Sequence, residues 1–202
     1  MPANLDRNGL PEALHTARPH PSMADQLRLF GQFVGSWQLE CTFDNPGGPD
    51  VIYPGELRFG WVLGGRAIQD VWIVPSRDHP DEGKAPGFHG TTLRFYDSTI
   101  SAWRSTWIDP CKNLVRRFLG QPVGPDIELI SDEEQPRLRW RFTDITPDSF
   151  AWIGERATDE QPSWTRQLRM QATRIDTVSS AALPNHCLDP TPEQALDRHR
   201  RD

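Results

Sequence analysis

Gly35-Ser36-Trp37-Gln38-Leu39-Glu40-Cys41-Thr42-Phe43 alternates apolar and polar side chains one by one from Trp37 onward. Period two is the spacing of a β-strand, whose successive side chains point to opposite faces, so Trp37, Leu39, Cys41 and Phe43 share one apolar side. The pattern returns at Leu57, Phe59 and Trp61, which alternate with Glu56, Arg58 and Gly60. Next comes Gly64-Gly65, which predicts a two-residue turn of the primed type, because that turn matches the twist of paired strands. The strand leaving the turn spans Arg66–Val74.

Outward from this hairpin, strands are predicted at Phe88–Tyr96, Ile100–Ile108, Leu114–Leu119, Ile127–Ile130, Arg137–Phe142, Phe150–Arg156 and Trp164–Arg174. Turn-forming pairs separate them: Asp97-Ser98, Asp109-Pro110, Gly124-Pro125, Gln135-Pro136, Thr146-Pro147 and Gln161-Pro162. About ten strands with mostly sequential connections make an antiparallel meander, and closing it as an up-and-down barrel removes the edges an open sheet would expose. The fold class is all-β.

Ahead of the first strand, Ser22 and Asp25 have capping-box spacing, and Leu27, Phe30, Phe33 and Val34 recur at helical spacing. A short amphipathic helix over Met23–Phe33 is therefore expected to close one end of the barrel. Three segments follow: a flexible tail over 1–21, a single barrel domain with its helix over 22–175, and a second flexible tail over 176–202. In the second tail, Thr191-Pro192 gives a helix start, but Pro192–Arg200 is too short to be stable alone.

The formal net charge is −6. Phosphate contacts need a basic field, so nucleic acid is not an expected partner. No stretch approaches the roughly 18 apolar residues of a membrane span, and the first thirty residues carry no signal-peptide run, so no membrane association is expected and the compartment is the cytoplasm. Cys41, Cys111 and Cys187 have no CxxC spacing, which predicts free thiols rather than disulfides or a metal knuckle. A Cys41 buried beside Trp37, Leu39 and Phe43 reads as an inert small hydrophobe.

The faces of the strands nominate a cavity. In the last strand Trp164, Leu168, Met170 and Ala172 alternate with polar residues and share their side with Arg166 and Arg174, which turns Arg166 inward. Asp70 shares a face with Ile68, Trp72 and Val74. Asp70 and Arg166 either form an internal ion pair or anchor an acidic or hydroxyl group of a ligand, with Trp72, Trp103, Trp107, Trp140 and Trp152 as apolar walls. Both remain open on the sequence. Arg137, Arg139 and Arg141 alternate with Leu138, Trp140 and Phe142 and belong to the outer face, where they meet acidic residues of neighbouring strands. Glu155 lies on the face opposite Trp152.

Motifs for chemistry are absent: there is no phosphate loop, no HExxH and no Gly-x-Ser-x-Gly. Binding of a small, partly apolar molecule is the leading function. An enzyme of isomerase, lyase or cyclase type is the alternative, with Asp70 and either His89 or Tyr96 as an acid–base pair. The third reading is a filled barrel that acts through a homodimer or another partner.

Gly35-Ser36-Trp37 after a short helix resembles the Gly-x-Trp opening of the calycin barrels, the grouping of lipocalins, fatty-acid-binding proteins and nitrobindins. Leu63-Gly64-Gly65-Arg66, Phe95-Tyr96-Asp97 with Ser101-Ala102-Trp103, Gly154-Glu155-Arg156 and Ala172-Thr173-Arg174 resemble a bacterial family of calycin-like barrels. The likeness covers about residues 27–175. It implies that Trp37 lies at the barrel floor with Arg174 of the last strand packed over it. Nitrobindins bind haem, but their opening continues Gly-x-Trp-x-Gly-x-Gly, whereas Gln38, Leu39, Glu40 and Cys41 stand here, and no His occurs in the last strands. No metal and no cofactor is expected.

Overall fold

The computed structural model describes residues 9–45, 47–79, 87–158 and 163–175. A five-residue helix, Leu10–Leu14 (α1), and a two-residue strand, His15–Thr16 (β1), precede a 3-10 turn at Pro21–Met23 and the helix Ala24–Gly31 (α2). Ten longer strands follow. They are Gly35–Phe43 (β2), Val51–Val62 (β3), Ala67–Val74 (β4), Phe88–Asp97 (β5), Ala102–Asp109 (β6), Leu114–Val123 (β7), Asp126–Ser131 (β8), Leu138–Thr143 (β9), Ser149–Ala157 (β10) and Trp164–Ile175 (β11).

From β2 to β11 each strand pairs antiparallel with the next, and β11 returns to β2, so the ring is closed. The all-β, up-and-down barrel expected from the alternation is the architecture observed. The pairing is continuous around the ring and leaves no open edge among these ten strands.

Several local expectations are corrected. Residues 10–16, read as part of a flexible tail, form α1 and β1, and β1 pairs with Trp61 and Val62 where β3 runs past the end of β2. Elements so short carry no periodic signal. The turn after β3 is longer than Gly64-Gly65: Val62 pairs with Ala67, and the backbone is left-handed at Leu63 (φ 55°), Gly64 (66°) and Gly65 (74°). The Gly65 amide donates to the Val62 carbonyl at 3.0 Å, which centres the primed turn on Leu63-Gly64, one residue early. Helix α2 starts without the Ser22 capping box; instead the His20 ring accepts from the Ser22 amide in the turn before it. The Pro192–Arg200 segment and the Gln161-Pro162 turn lie outside the described residues.

Helix α2 plugs one end. Leu27, Phe30 and, just beyond the helix, Phe33 are buried. Phe33 lies 4.8 Å from Phe150 and 5.0 Å from Phe142, Phe30 lies 4.9 Å from Trp103, and Trp37 lies 4.8 Å from Phe150, centroid to centroid. These are the spacings of edge-on and tilted aromatic pairs in a filled core. The Trp37 indole donates to the Phe33 carbonyl at 2.7 Å. Arg174 does pack over Trp37, its guanidinium carbon 4.0 Å from the ring centroid. The same guanidinium donates to the carbonyls of Val34, Gln32 and Pro147 at 2.9, 2.8 and 2.7 Å. The last strand thus satisfies carbonyls left free after the helix end and ties α2 to the barrel.

Candidate functional site

The opposite end of the barrel is hollow. A cavity of about 360 Å³ lies among Trp72, Trp107, Trp140 and Trp152, with Arg94 toward the floor and Lys112 and Arg116 among its charged residues. Each tryptophan comes from a different strand, β4, β6, β9 and β10, at a position that alternation turns inward. Their rings form a chain: Trp107 to Trp140 at 6.2 Å, Trp140 to Trp152 at 5.3 Å and Trp152 to Trp72 at 5.8 Å. Two glycines make room for them. A Cβ on Gly154 would stand 2.8 Å from the Trp152 ring, and one on Gly90 would collide with Trp107. The indoles of Trp107 and Trp152 lie over bare backbone, against the wall.

The walls differ in polarity. On β9 to β11 the cavity meets Trp140, Trp152, Leu168 and Met170, with Gln167 as a polar side chain among them. On β4 to β6 it meets four buried polar atoms that make no hydrogen bond: Trp72 Nε1, Thr92 Oγ1, Arg94 Nε and Asp109 Oδ1. Leaving a buried donor or acceptor unsatisfied costs about 1–3 kcal/mol each, so these atoms are open to a hydrogen-bonding group that enters the cavity.

Asp70 is buried, as its alternation implies, but its partner is Arg94 and not Arg166. Arg94 Nη1 donates to Asp70 Oδ2, and the Thr92 amide donates to Oδ1 at 2.8 Å. The Arg94 guanidinium is held over Phe30, Phe59 and Phe142, with its carbon 5.0, 5.5 and 5.8 Å from their centroids. It therefore separates the aromatic plug from the cavity. The alternation of β5 hides this: the inner face is Phe88, Gly90, Thr92 and Arg94, while Leu93 and Phe95 of the more apolar face point outward. Only the register with Asp70 across the β4–β5 pair identifies Arg94 as the partner.

Arg166 lies outside. The β10–β11 register slips between Gly154, which faces Leu168, and Glu155, which faces Arg166, so Gln167 is an extra residue. A bulge of this kind inverts every side chain beyond it. Arg166 then donates through Nε to Asp44 at 2.9 Å with its side chain 45% exposed, and Trp164 lies on the outer face against Arg139. Trp103 is also displaced from the expected set. It packs on Phe30 in the plugged end and does not line the cavity.

No acid–base pair forms around Asp70. His89 is exposed on the outer face of β5, and Tyr96 packs 6.1 Å from Trp103 at the plugged end. Burial pushes the Cys41 thiol up to about 12, with the nearby Glu40 charge adding to the effect, which keeps it protonated. The outer-face arginines behave as their alternation predicts: Arg139 and Arg141 donate to Glu155 at 2.7 and 3.1 Å. Burial pushes the Glu155 carboxyl up, but these hydrogen bonds outweigh it and hold it below its ordinary value. Among the described residues no three His, Cys, Asp or Glu side chains gather as metal ligands would, and no helix is long and apolar enough to cross a membrane.

A closed ten-stranded barrel with Trp37 and Arg174 at its floor fits a calycin-like fold. No family model matches the chain, and no curated protein matches it. Among solved structures, the chain is similar to the S-type phycobiliprotein lyase CPES from Guillardia theta, with 14% identity and a TM-score of 0.48 over 74% of this chain and 92% of that one. It is also similar to Rv2717c from M. tuberculosis, with 12% identity and a TM-score of 0.49 over 78% of this chain and 99% of that one.

Proposed function

We propose that this chain binds a small, partly apolar molecule in the hollow end of the barrel. Trp72, Trp107, Trp140 and Trp152 are the walls, Thr92 and Arg94 are polar contacts, and Asp70 acts through Arg94 by fixing its orientation. The observation that carries the reading is the unsatisfied row on β4 and β5: two N–H donors and a hydroxyl, all buried, facing a cavity of about 360 Å³. That volume is in the range of ligand pockets, and a few fixed polar groups in an otherwise apolar lining are what orient a ligand. A hydroxyl or carbonyl oxygen of the ligand fits the donors. The acidic group that an inward Arg166 would have anchored loses that support, because the bulge places Arg166 outside.

The indoles supply their own reporter. With 1-naphthol as probe, tryptophan fluorescence should change saturably. Leu168→Trp, which puts a larger side chain into the cavity, should weaken binding about tenfold or more, an energy of about 1.4 kcal/mol. Trp103→Phe, at the plugged end, should leave the affinity unchanged. If Leu168→Trp binds as well as the unmodified chain, or if no saturable change occurs, the cavity is not the site.

A further inference from the structure

The cavity also holds a carboxylate that pairs with no cation among the described residues. Asp109 closes β6 and is 1% exposed. Its Oδ1 makes no hydrogen bond, and its side chain does not cap the 3-10 turn Pro110–Lys112 that follows. Three cations line the same cavity, and none pairs with it; Arg94 is taken up by Asp70. Arg116 faces Glu134, Nε to Oε1 3.3 Å, and Lys112 is exposed with its ammonium 5.5 Å from the Phe88 ring centroid. Among the described residues, no Lys, Arg or His forms an ion pair with Asp109. A carboxylate taken out of water without a counter-charge or a full set of donors is unfavourable, and it becomes favourable when a bound group supplies both.

The surroundings decide what that group is. Trp107 precedes Asp109 by two residues on the same face of β6, with Phe88 5.8 Å from its ring and Trp140 6.2 Å away. Aromatic faces carry the negative side of a quadrupole, so they attract a cation and disfavour an anion. A buried carboxylate next to indole faces is complementary to a protonated nitrogen that carries N–H donors. Lys112 opposes this only weakly, since an exposed ammonium is screened by solvent and salt, and the charge of Arg116 is balanced by Glu134.

We propose that Asp109 anchors a protonated amine whose apolar body lies against Trp107, Trp140 and Trp152. The ligand class is a primary or secondary amine with an apolar skeleton. This rests on the reading of the cavity as a binding site.

Three probes of equal chain length separate the possibilities: n-octylamine, n-octanol and n-octanoate, titrated calorimetrically into the full chain at pH 7. Octylamine should bind about ten- to a hundredfold more tightly than octanol, the range expected for a hydrogen bond to a charged group. Octanoate should bind most weakly. Asp109→Asn should bring octylamine down to the level of octanol and leave octanol within about twofold of its original affinity. Equal binding of amine and alcohol, tightest binding of octanoate, or an amine preference that survives in Asp109→Asn would each overturn the proposal. Because the order of the three probes is measured on the unmodified chain, the test holds even if the variant fails to fold. Octanol binding without an amine preference leaves the cavity reading intact and removes only this inference; no binding by any probe removes both.

Discussion

The two ends of the barrel are built from the same strands and lined with the same kinds of ring, yet one is solid and the other hollow. At the plugged end, α2 brings Phe30 and Phe33 from outside the sheet into the space the strands enclose. Two polar side chains there find partners: the Trp37 indole reaches a carbonyl, and all three nitrogens of Arg174 do. At the hollow end no helix enters among the described residues. The Trp72 indole and Arg94 Nε stay without partners. Strand side chains alone do not fill a ring of ten strands, so whether an end becomes core or pocket depends on what is inserted into it.

The comparison is most exposed to a pair of truncations. Phe33→Ala should lower stability by about 4–5 kcal/mol, the upper part of the range for a buried phenylalanine, because five other rings pack around it. Trp152→Ala removes a larger ring, yet that ring faces empty space on one side and gives up fewer contacts, so the loss should be about 2 kcal/mol smaller. Urea denaturation of both variants measures the difference. The reverse order would mean that the hollow end is as tightly packed as the plugged one.

A second test addresses the boundary between the ends. Asp70→Asn leaves Arg94 buried among three aromatic rings without its counter-charge, and should destabilise by about 3 kcal/mol, the low end for a broken buried pair because the amide keeps one acceptor oxygen. Adding Arg94→Met should restore much of this, since an apolar chain of similar length belongs among Phe30, Phe59 and Phe142. The coupling between the two changes is expected to exceed about 1 kcal/mol. Simple additivity would show that the pair does not hold the floor.

Much of the fold could be read from alternation because several apolar inner faces are paired with a plainly polar outer one; β2 with Trp37, Leu39 and Cys41, and β9 with Leu138, Trp140 and Phe142, are such cases. The helix was legible for a similar reason, since Leu27, Phe30 and Phe33 mark one stripe. The cavity was legible only in part. Trp72, Trp107, Trp140 and Trp152 sit where period two puts them, but Arg94 does not stand out, because its strand turns its polar face inward. Asp109 was hidden by the turn signal of Asp109-Pro110, which explains an aspartate there without any cavity. Arg166 was misplaced by a bulge, and no residue around Gln167 announces one. Alternation is a local rule, while register depends on the partner strand.

The smallest expected effect follows from that bulge. If Arg166 faces solvent and pairs with Asp44, then Arg166→Met removes an ion pair whose arginine is 45% exposed, and such pairs contribute about 0–1 kcal/mol. The stability of the variant should therefore lie within about 1 kcal/mol of the original chain, against about 3 kcal/mol for Asp70→Asn, and the two changes should add to within about 0.5 kcal/mol because they share no partner. Affinity for 1-naphthol should not move either, since Arg166 does not line the cavity. Urea denaturation of Arg166→Met alone and combined with Asp70→Asn, with a fluorescence titration of the first, measures all three quantities. A large loss with strong coupling to Asp70 would place Arg166 inside after all, in the register without the bulge. That register would also turn Trp164 inward and fill the hollow end, and the difference between the two ends would disappear.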